Sequence, residues 1–135
     1  MIAPKKTKFR TTYLRYNRGV ANKGTDLFYG EVGLVSLENA FITPNQIEAA
    51  RRVIANTTKR AGKVWIRIFP DQVMTKKPAN VRMGSGKGPP EKYVAPVQAG
   101  KVVFEIGGID KALASLALTK AAKKLPIHTK LIEKE

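Results

Sequence analysis

Residues 76–92 read KKPANVRMGSGKGPPEK, and no regular element can hold them. Gly84, Gly86 and Gly88 weaken any helix or strand, and Pro89-Pro90 removes two consecutive backbone donors. Val81 and Met83 are the only side chains of a size worth burying. Strand-like segments flank the stretch, which therefore closes as a long hairpin loop. With half of the residues leading out and half back at ~3.3 Å each, its reach is about 25 Å. A compact chain of 135 residues has a radius of gyration of roughly 14 Å, so the loop must protrude. Structureless loops of this length are functional or disordered.

The loop invites a phosphate-binding reading, but the standard motifs fail. Gly86-Lys87 is followed by Gly88 rather than Ser or Thr, and Val81 stands where a P-loop needs its first glycine. Pro89 occupies the third glycine position of a dinucleotide fingerprint, and no helix opens after it. Glycines beside Arg82 and Lys87 do supply a thin backbone that can approach phosphates with charge alongside. From the residues alone the loop is either an RNA-inserting finger or a flexible surface loop.

Charge narrows the choice of partner. The chain holds 25 Lys and Arg against 10 Asp and Glu, a net charge of +15, where small domains carry about 2–8. Such a molecule repels itself, and a polyanion relieves the repulsion. Nucleic acid leads, because each neutralised phosphate also releases condensed counterions. Solubility and a secreted cationic peptide are the competing explanations. Residues 1–23 carry seven cations and no acid, 24–50 four acids and no cation, and 51–63 five cations and no acid. Separate acid-free blocks of this kind are an electrostatic footprint for nucleic acid.

The same composition limits chemistry. There is no cysteine, which removes disulfides, thiolate metal sites and thiol nucleophiles and fits a reducing compartment. One histidine, His128, leaves no neutral-pH acid–base pair, and the carboxylates are scattered. An RNA-acting hydrolase or transferase therefore lacks its machinery. A DNA-architectural protein would want a dimeric body with minor-groove arms. No stretch approaches the roughly 18 apolar residues of a membrane span. The basic start leads into no secretory apolar segment. We expect neither cofactor nor metal.

Hydrophobic period predicts an α+β domain over residues 24–135, with two helices on a mostly antiparallel sheet and a basic arm over residues 1–23. Leu27–Leu37 reads as β-rich. Thr43, Pro44 and Gln46 form a capping box opening a helix that runs to about Ala61, with Ile47, Ala50, Ile54 and Ala61 inward and Gly62 as its stop. Lys63–Phe69 is the clearest strand: Val64, Ile66 and Ile68 share one face, and Lys63, Trp65, Arg67 and Phe69 the other. That second face would suit RNA, or be covered, with Trp65 packed in the core. Strands at 93–97 and 101–106, a helix at 110–124 with Leu113, Leu116, Ala117 and Ala121 inward, and a last strand from Pro126 complete the reading. The Lys120, Lys123 and Lys124 cluster suits a helix C-terminus.

Taken together these segments resemble one family, bacterial and organellar large-subunit ribosomal protein sixteen. The likeness runs through Pro4–Arg10, Asn17–Gly19, Gly24–Asp26, Gln46–Arg52, Lys59–Asp71, Thr75–Pro78, Arg82–Gly88, Gly100–Val102 and Leu125–Ile127, nearly the whole chain. It implies a hammerhead-like strand arrangement and a non-catalytic role in the large ribosomal subunit of a bacterium, plastid or mitochondrion. Partners would be large-subunit rRNA, the A-site tRNA, neighbouring ribosomal proteins and, as a contact left open, the P-site tRNA, with no membrane and no self-association.

Laid on the charge map, the resemblance implies rRNA contact through Lys5, Lys6, Lys8, Arg10, Arg15, Arg18, Arg51, Arg52, Lys59, Arg60, Lys63, Arg67, Lys76 and Lys77. The loop facing tRNA and the peptidyl-transferase region would be Arg82, Met83, Gly84, Ser85, Gly86, Lys87 and Gly88. The chain departs from the family pattern at Thr11–Leu14 and Asn56–Thr58, which thin the positive charge, and at Lys92-Tyr93, where the family often has an aromatic pair.

Overall fold

The computed structural model describes residues 2–11, 17–80, 82–84 and 86–134. Its elements run β1 (Val32–Ser36), β2 (Ala40–Ile42), α1 (Pro44–Thr58), β3 (Lys63–Ile66), β4 (Gln72–Thr75), β5 (Pro90–Val97), β6 (Val102–Gly107), α2 (Lys111–Ala122) and β7 (Thr129–Glu133). The strands form two antiparallel sheets, β3-β6-β1-β7 and β2-β5-β4. The α+β class holds, with two sheets rather than one. The chain passes between them after β5, where Gly100 N–H donates to Ser36 O (2.7 Å) and Ser36 N–H to Lys101 O (3.0 Å).

Local chemistry explains the elements. The Thr43 hydroxyl accepts the Gln46 N–H (3.3 Å), while Gln46 Oε1 accepts the Thr43 N–H (2.9 Å), so the predicted capping box opens α1. The helix stops three residues before Ala61. Lys59 and Arg60 both turn left-handed (φ 53° and 63°), and Arg60 N–H reaches back to Ala55 O at 3.1 Å. Gly62 (φ 70°) then lies against Gly107 O, where an added Cβ would sit 2.6 Å away. Ala61 is exposed. The β-rich 27–37 stretch is a strand only from Val32 onward.

The core gathers Leu34, Phe104 and Ile106 from the larger sheet with Ile47, Ala50 and Ile54 of α1 and Ala114, Ala117, Leu118 and Ala121 of α2. Leu116, expected inward, is 49% exposed. Nearly every position of Ala112–Ala122 is small or apolar, so no period selects a face, and packing chooses the small side chains that let the two helices approach.

One buried charge organises the opposite face of β6. Glu105 is fully buried and alternates with Phe104 and Ile106, so it points away from them. Its Oε1 accepts three consecutive N–H groups, from Phe28 (2.9 Å), Tyr29 (3.0 Å) and Gly30 (3.0 Å). Its Oε2 meets the Arg67 guanidinium. Gly30 is pressed so closely on β6 that a Cβ there would lie 2.7 Å from Ile106 O. Among the described residues no buried side-chain polar atom lacks a partner. Burial opposes ionisation of Glu105, yet the Gly30 N–H, Arg67 and the N–H groups of Phe28 and Tyr29 together hold its carboxyl below the ordinary value of 4.5.

Two outcomes follow. Glu105→Ala should lose about 3 kcal/mol of stability, the low end for breaking a buried pair, because the 20% exposed Arg67 can turn to water. An unchanged denaturant midpoint would contradict this. Because the folded-state pKa is depressed, the stabilisation is complete above about pH 4.5 and fades as pH falls toward the folded pKa. Equilibrium unfolding followed from pH 6 to 2 should show that decline, and it should be shallower in Glu105→Gln.

Candidate nucleic-acid interface

The cationic residues fall into two groups according to whether a carboxylate holds them. Glu48 on α1 takes Arg51 (Nε to Oε2, 2.9 Å) and, one turn on, Arg52 (Nε to Oε1, 3.3 Å). The hydrogen bond from Arg51 is the main reason the Glu48 carboxyl is lowered to about 2. Arg67 is held by Glu105 and also donates to Asp26 O (3.3 Å). Each of these guanidiniums still reaches solvent, Arg52 most freely at 71% exposure.

Lys5, Lys6, Lys8, Arg10, Lys59, Arg60, Lys63 and Lys76 are exposed and have no carboxylate partner among the described residues. Lys59 and Arg60 owe their exposure to the left-handed turn that ends α1, and Lys63 follows directly at the start of β3. Arg18 is exposed, its carbonyl accepting from Gln98 Nε2 (2.6 Å). The neighbouring Asn17 amide donates to Ala40 O (2.8 Å) and Val97 O (3.0 Å), which fastens the inner end of the basic segment to the smaller sheet. Arg15 and Ser85 lie outside the described residues.

The glycine-rich loop joins β4 to β5. It spans residues 76–89, since Pro90 already pairs with Thr75 in the ladder. Its root is closed by Lys76 N–H donating to Pro89 O (3.2 Å), with Gly88 lying against the Lys76 backbone. Lys77 Nζ donates to Gly84 O across the loop. Arg82, Met83, Gly84, Gly86 and Lys87 are exposed, Met83 at 99%. Gly84 and Gly86 take φ of 114° and 90°, conformations that side chains rarely adopt.

Segments far apart in sequence converge here. A cleft of about 280 Å³ is lined by Pro4, Lys6, Thr7, Lys8 and Phe9 on one side and Asp71, Gln72 and Val73 on the other. A second, of about 310 Å³, is lined by Arg10 and Thr11 together with Lys87, Gly88 and Pro89. The N-terminal cations therefore run beside β4 toward the root of the loop. A phosphate chain laid along this edge would meet cations from both segments.

Sequence reasoning missed two sets of residues. Phe28 and Tyr29, expected within a strand, are exposed at 75% and 55% in the loop gripped by Glu105. Glu105 was read as an ordinary strand position, although a lone acid within Val102–Ile106 was a visible signal. Trp65 is neither in the core nor free: it is half-buried and stacked on Tyr29 (centroids 5.8 Å, planes 16° apart).

Among the described residues no three metal-ligating side chains cluster, and no helix is long and apolar enough to cross a membrane. The large ribosomal subunit protein uL16 of Rhodopseudomonas palustris strain BisB5 is 54% identical over 132 residues, covering 98% of this chain and 96% of its own. That of strain CGA009 is 53% identical with the same coverage. The large ribosomal subunit protein uL16c of Psilotum nudum is 49% identical, covering 98% and 94%. With the family model for ribosomal protein L16p/L10e matching residues 4–132, the chain belongs to that family.

Proposed function

We propose that this ribosomal protein is a structural, non-catalytic constituent of the large ribosomal subunit, in a bacterium or an organelle. It binds large-subunit rRNA and positions tRNA. The observation that carries this reading is the meeting of the N-terminal cations with the root of the glycine-rich loop at the cleft lined by Arg10 and Lys87. Backbone phosphates of folded rRNA would be held by Lys5, Lys6, Lys8, Arg10 and Lys76 on that side, and by Arg18. The Arg51, Arg52, Lys59, Arg60 and Lys63 face would take others.

Such contacts fix register without reading sequence. Specificity comes from RNA shape, because the deep A-form groove is closed to side chains. The loop, in which Arg82, Met83, Gly84, Gly86 and Lys87 are exposed, is aimed at A-site tRNA near the peptidyl-transferase region, with the P-site tRNA as a second contact. Its exposed Arg82 and its glycines allow close approach to a phosphate backbone, and no step of bond making is assigned to any residue. Neighbouring large-subunit proteins would complete the surroundings.

Two measurements test this. If about six to ten phosphates are engaged, affinity for a large-subunit rRNA fragment should fall by roughly 10³–10⁵ between 50 and 200 mM salt. A flat response would remove the electrostatic basis. Replacing Arg82 and Lys87 together by Ala should leave the melting temperature nearly unchanged. It should weaken A-site tRNA binding to reconstituted subunits, whereas wild-type tRNA affinity would refute the role of the tip.

A further inference from the structure

Two adjacent aromatic residues, Phe28 and Tyr29, stand in solvent at 75% and 55% exposure. Large apolar rings left in water at a fixed position call for an occupant. Here the position is fixed. Their backbone N–H groups, with that of Gly30, converge on one buried oxygen of Glu105. The other oxygen holds Arg67, whose guanidinium lies 5.5 Å from the Tyr29 ring centroid. Beneath, Tyr29 stacks on Trp65, and Phe28 meets Tyr29 edge-on (4.8 Å, 78°). Lys63 Nζ lies 6.0 Å from the Trp65 ring centroid. The result is a short aromatic column of Tyr29 on Trp65, with the exposed ring of Phe28 set edge-on against Tyr29 and cations at its flank.

We propose that this column is a stacking platform for an unpaired nucleobase of the bound rRNA, with the adjoining phosphate drawn toward Lys63 and Arg67. The inference rests on the rRNA-binding reading above and names a site within it. The occupant follows from charge. A protein partner would bury the rings against apolar side chains but would leave Lys63, which has no carboxylate partner among the described residues, unmatched beside them. An extruded base satisfies both at once, since its π-face covers the ring and its phosphate neutralises the cation. Preorganisation strengthens the case: the loop is already clamped by a buried carboxylate, so little ordering remains to be done on binding.

Trp65 is the sole tryptophan, so its emission reports on the column. The full chain is titrated at constant salt with hexaadenylate and with an abasic ribose-phosphate hexamer of equal charge. Hexaadenylate should quench Trp65 and bind more tightly than the abasic oligomer. Phe28→Leu, which keeps apolar bulk at an exposed position and should melt like wild type, should lose about 5- to 100-fold of hexaadenylate affinity and none for the abasic oligomer. Equal binding of the two oligomers, absence of quenching, or an unaffected Phe28→Leu variant would overturn the platform.

In assembled subunits, a benzophenone-bearing phenylalanine at position 28 should crosslink to rRNA. Crosslinking only to another protein would overturn the proposal in favour of a protein contact. If Phe28→Leu shows no loss while wild type still binds an rRNA fragment with steep salt dependence, the platform fails and the rRNA-binding reading stands. If wild type binds no rRNA fragment, both fall.

Discussion

The carboxylate of Glu105 is the constraint on which the loop from Phe28 to Gly30 and the placement of Arg67 depend. A charge with no solvent exposure is tolerable only when its lone pairs are filled, and here three successive N–H groups and a guanidinium fill them. The demand works in both directions. The buried acid is stabilised by the loop, and the loop from Phe28 to Gly30, which has no ladder of its own, takes its conformation from the acid. Arg67 just past the end of β3, the central strand β6 and the segment leading into β1 are thereby tied at one point.

That tie also sorts the charges. Among the described residues, two acids take up the guanidiniums of Arg51, Arg52 and Arg67, and a third, Glu38, lies 3.9 Å from His128. Helix α1 gains i,i+3 and i,i+4 pairs that steady its exposed face, while the lysines along the N-terminal segment and after the helix meet no carboxylate. Internal pairing therefore holds Arg51, Arg52 and Arg67 against the body, while Arg10, Arg60 and the lysines around them stay exposed with no carboxylate partner among the described residues. For a ribosomal protein this is a coherent division: oriented groups where geometry matters, mobile charge where only neutralisation does.

Much of the fold was legible because several segments carry unambiguous local signals. Thr43-Pro44 with Gln46 marked the start of α1, and Val64 and Ile66 marked the inward face of β3; the strand ends at Ile66 rather than Phe69, with Ile68 still buried in the core beyond it. The errors came where tertiary context decides. Ala112–Ala122 is apolar nearly all round, so its buried face was set by the partner helix. Strands β2 and β4, three and four residues long, are too short to show a period and exist because β5 pairs with both. The glycine-rich loop was legible as a non-element, since no burial could be built from its residues. Its meeting with the N-terminal segment was not, because nothing in either stretch encodes the other. The aromatic pair was hidden by β-propensity: Leu27, Phe28 and Tyr29 favour a strand, and only the acid 75 to 77 residues away pulls their backbone into a loop.

The end of α1 carries a longer consequence. Lys59 and Arg60 both hold a left-handed backbone that glycine would adopt freely, at a strain of order 1–2 kcal/mol each. Thermal hardiness and positive charge therefore pull in opposite directions at this corner. A lineage selected for robustness of the isolated polypeptide would drift toward glycine there and shed positive charge. A chain that keeps both cations instead carries that strain in its folded state.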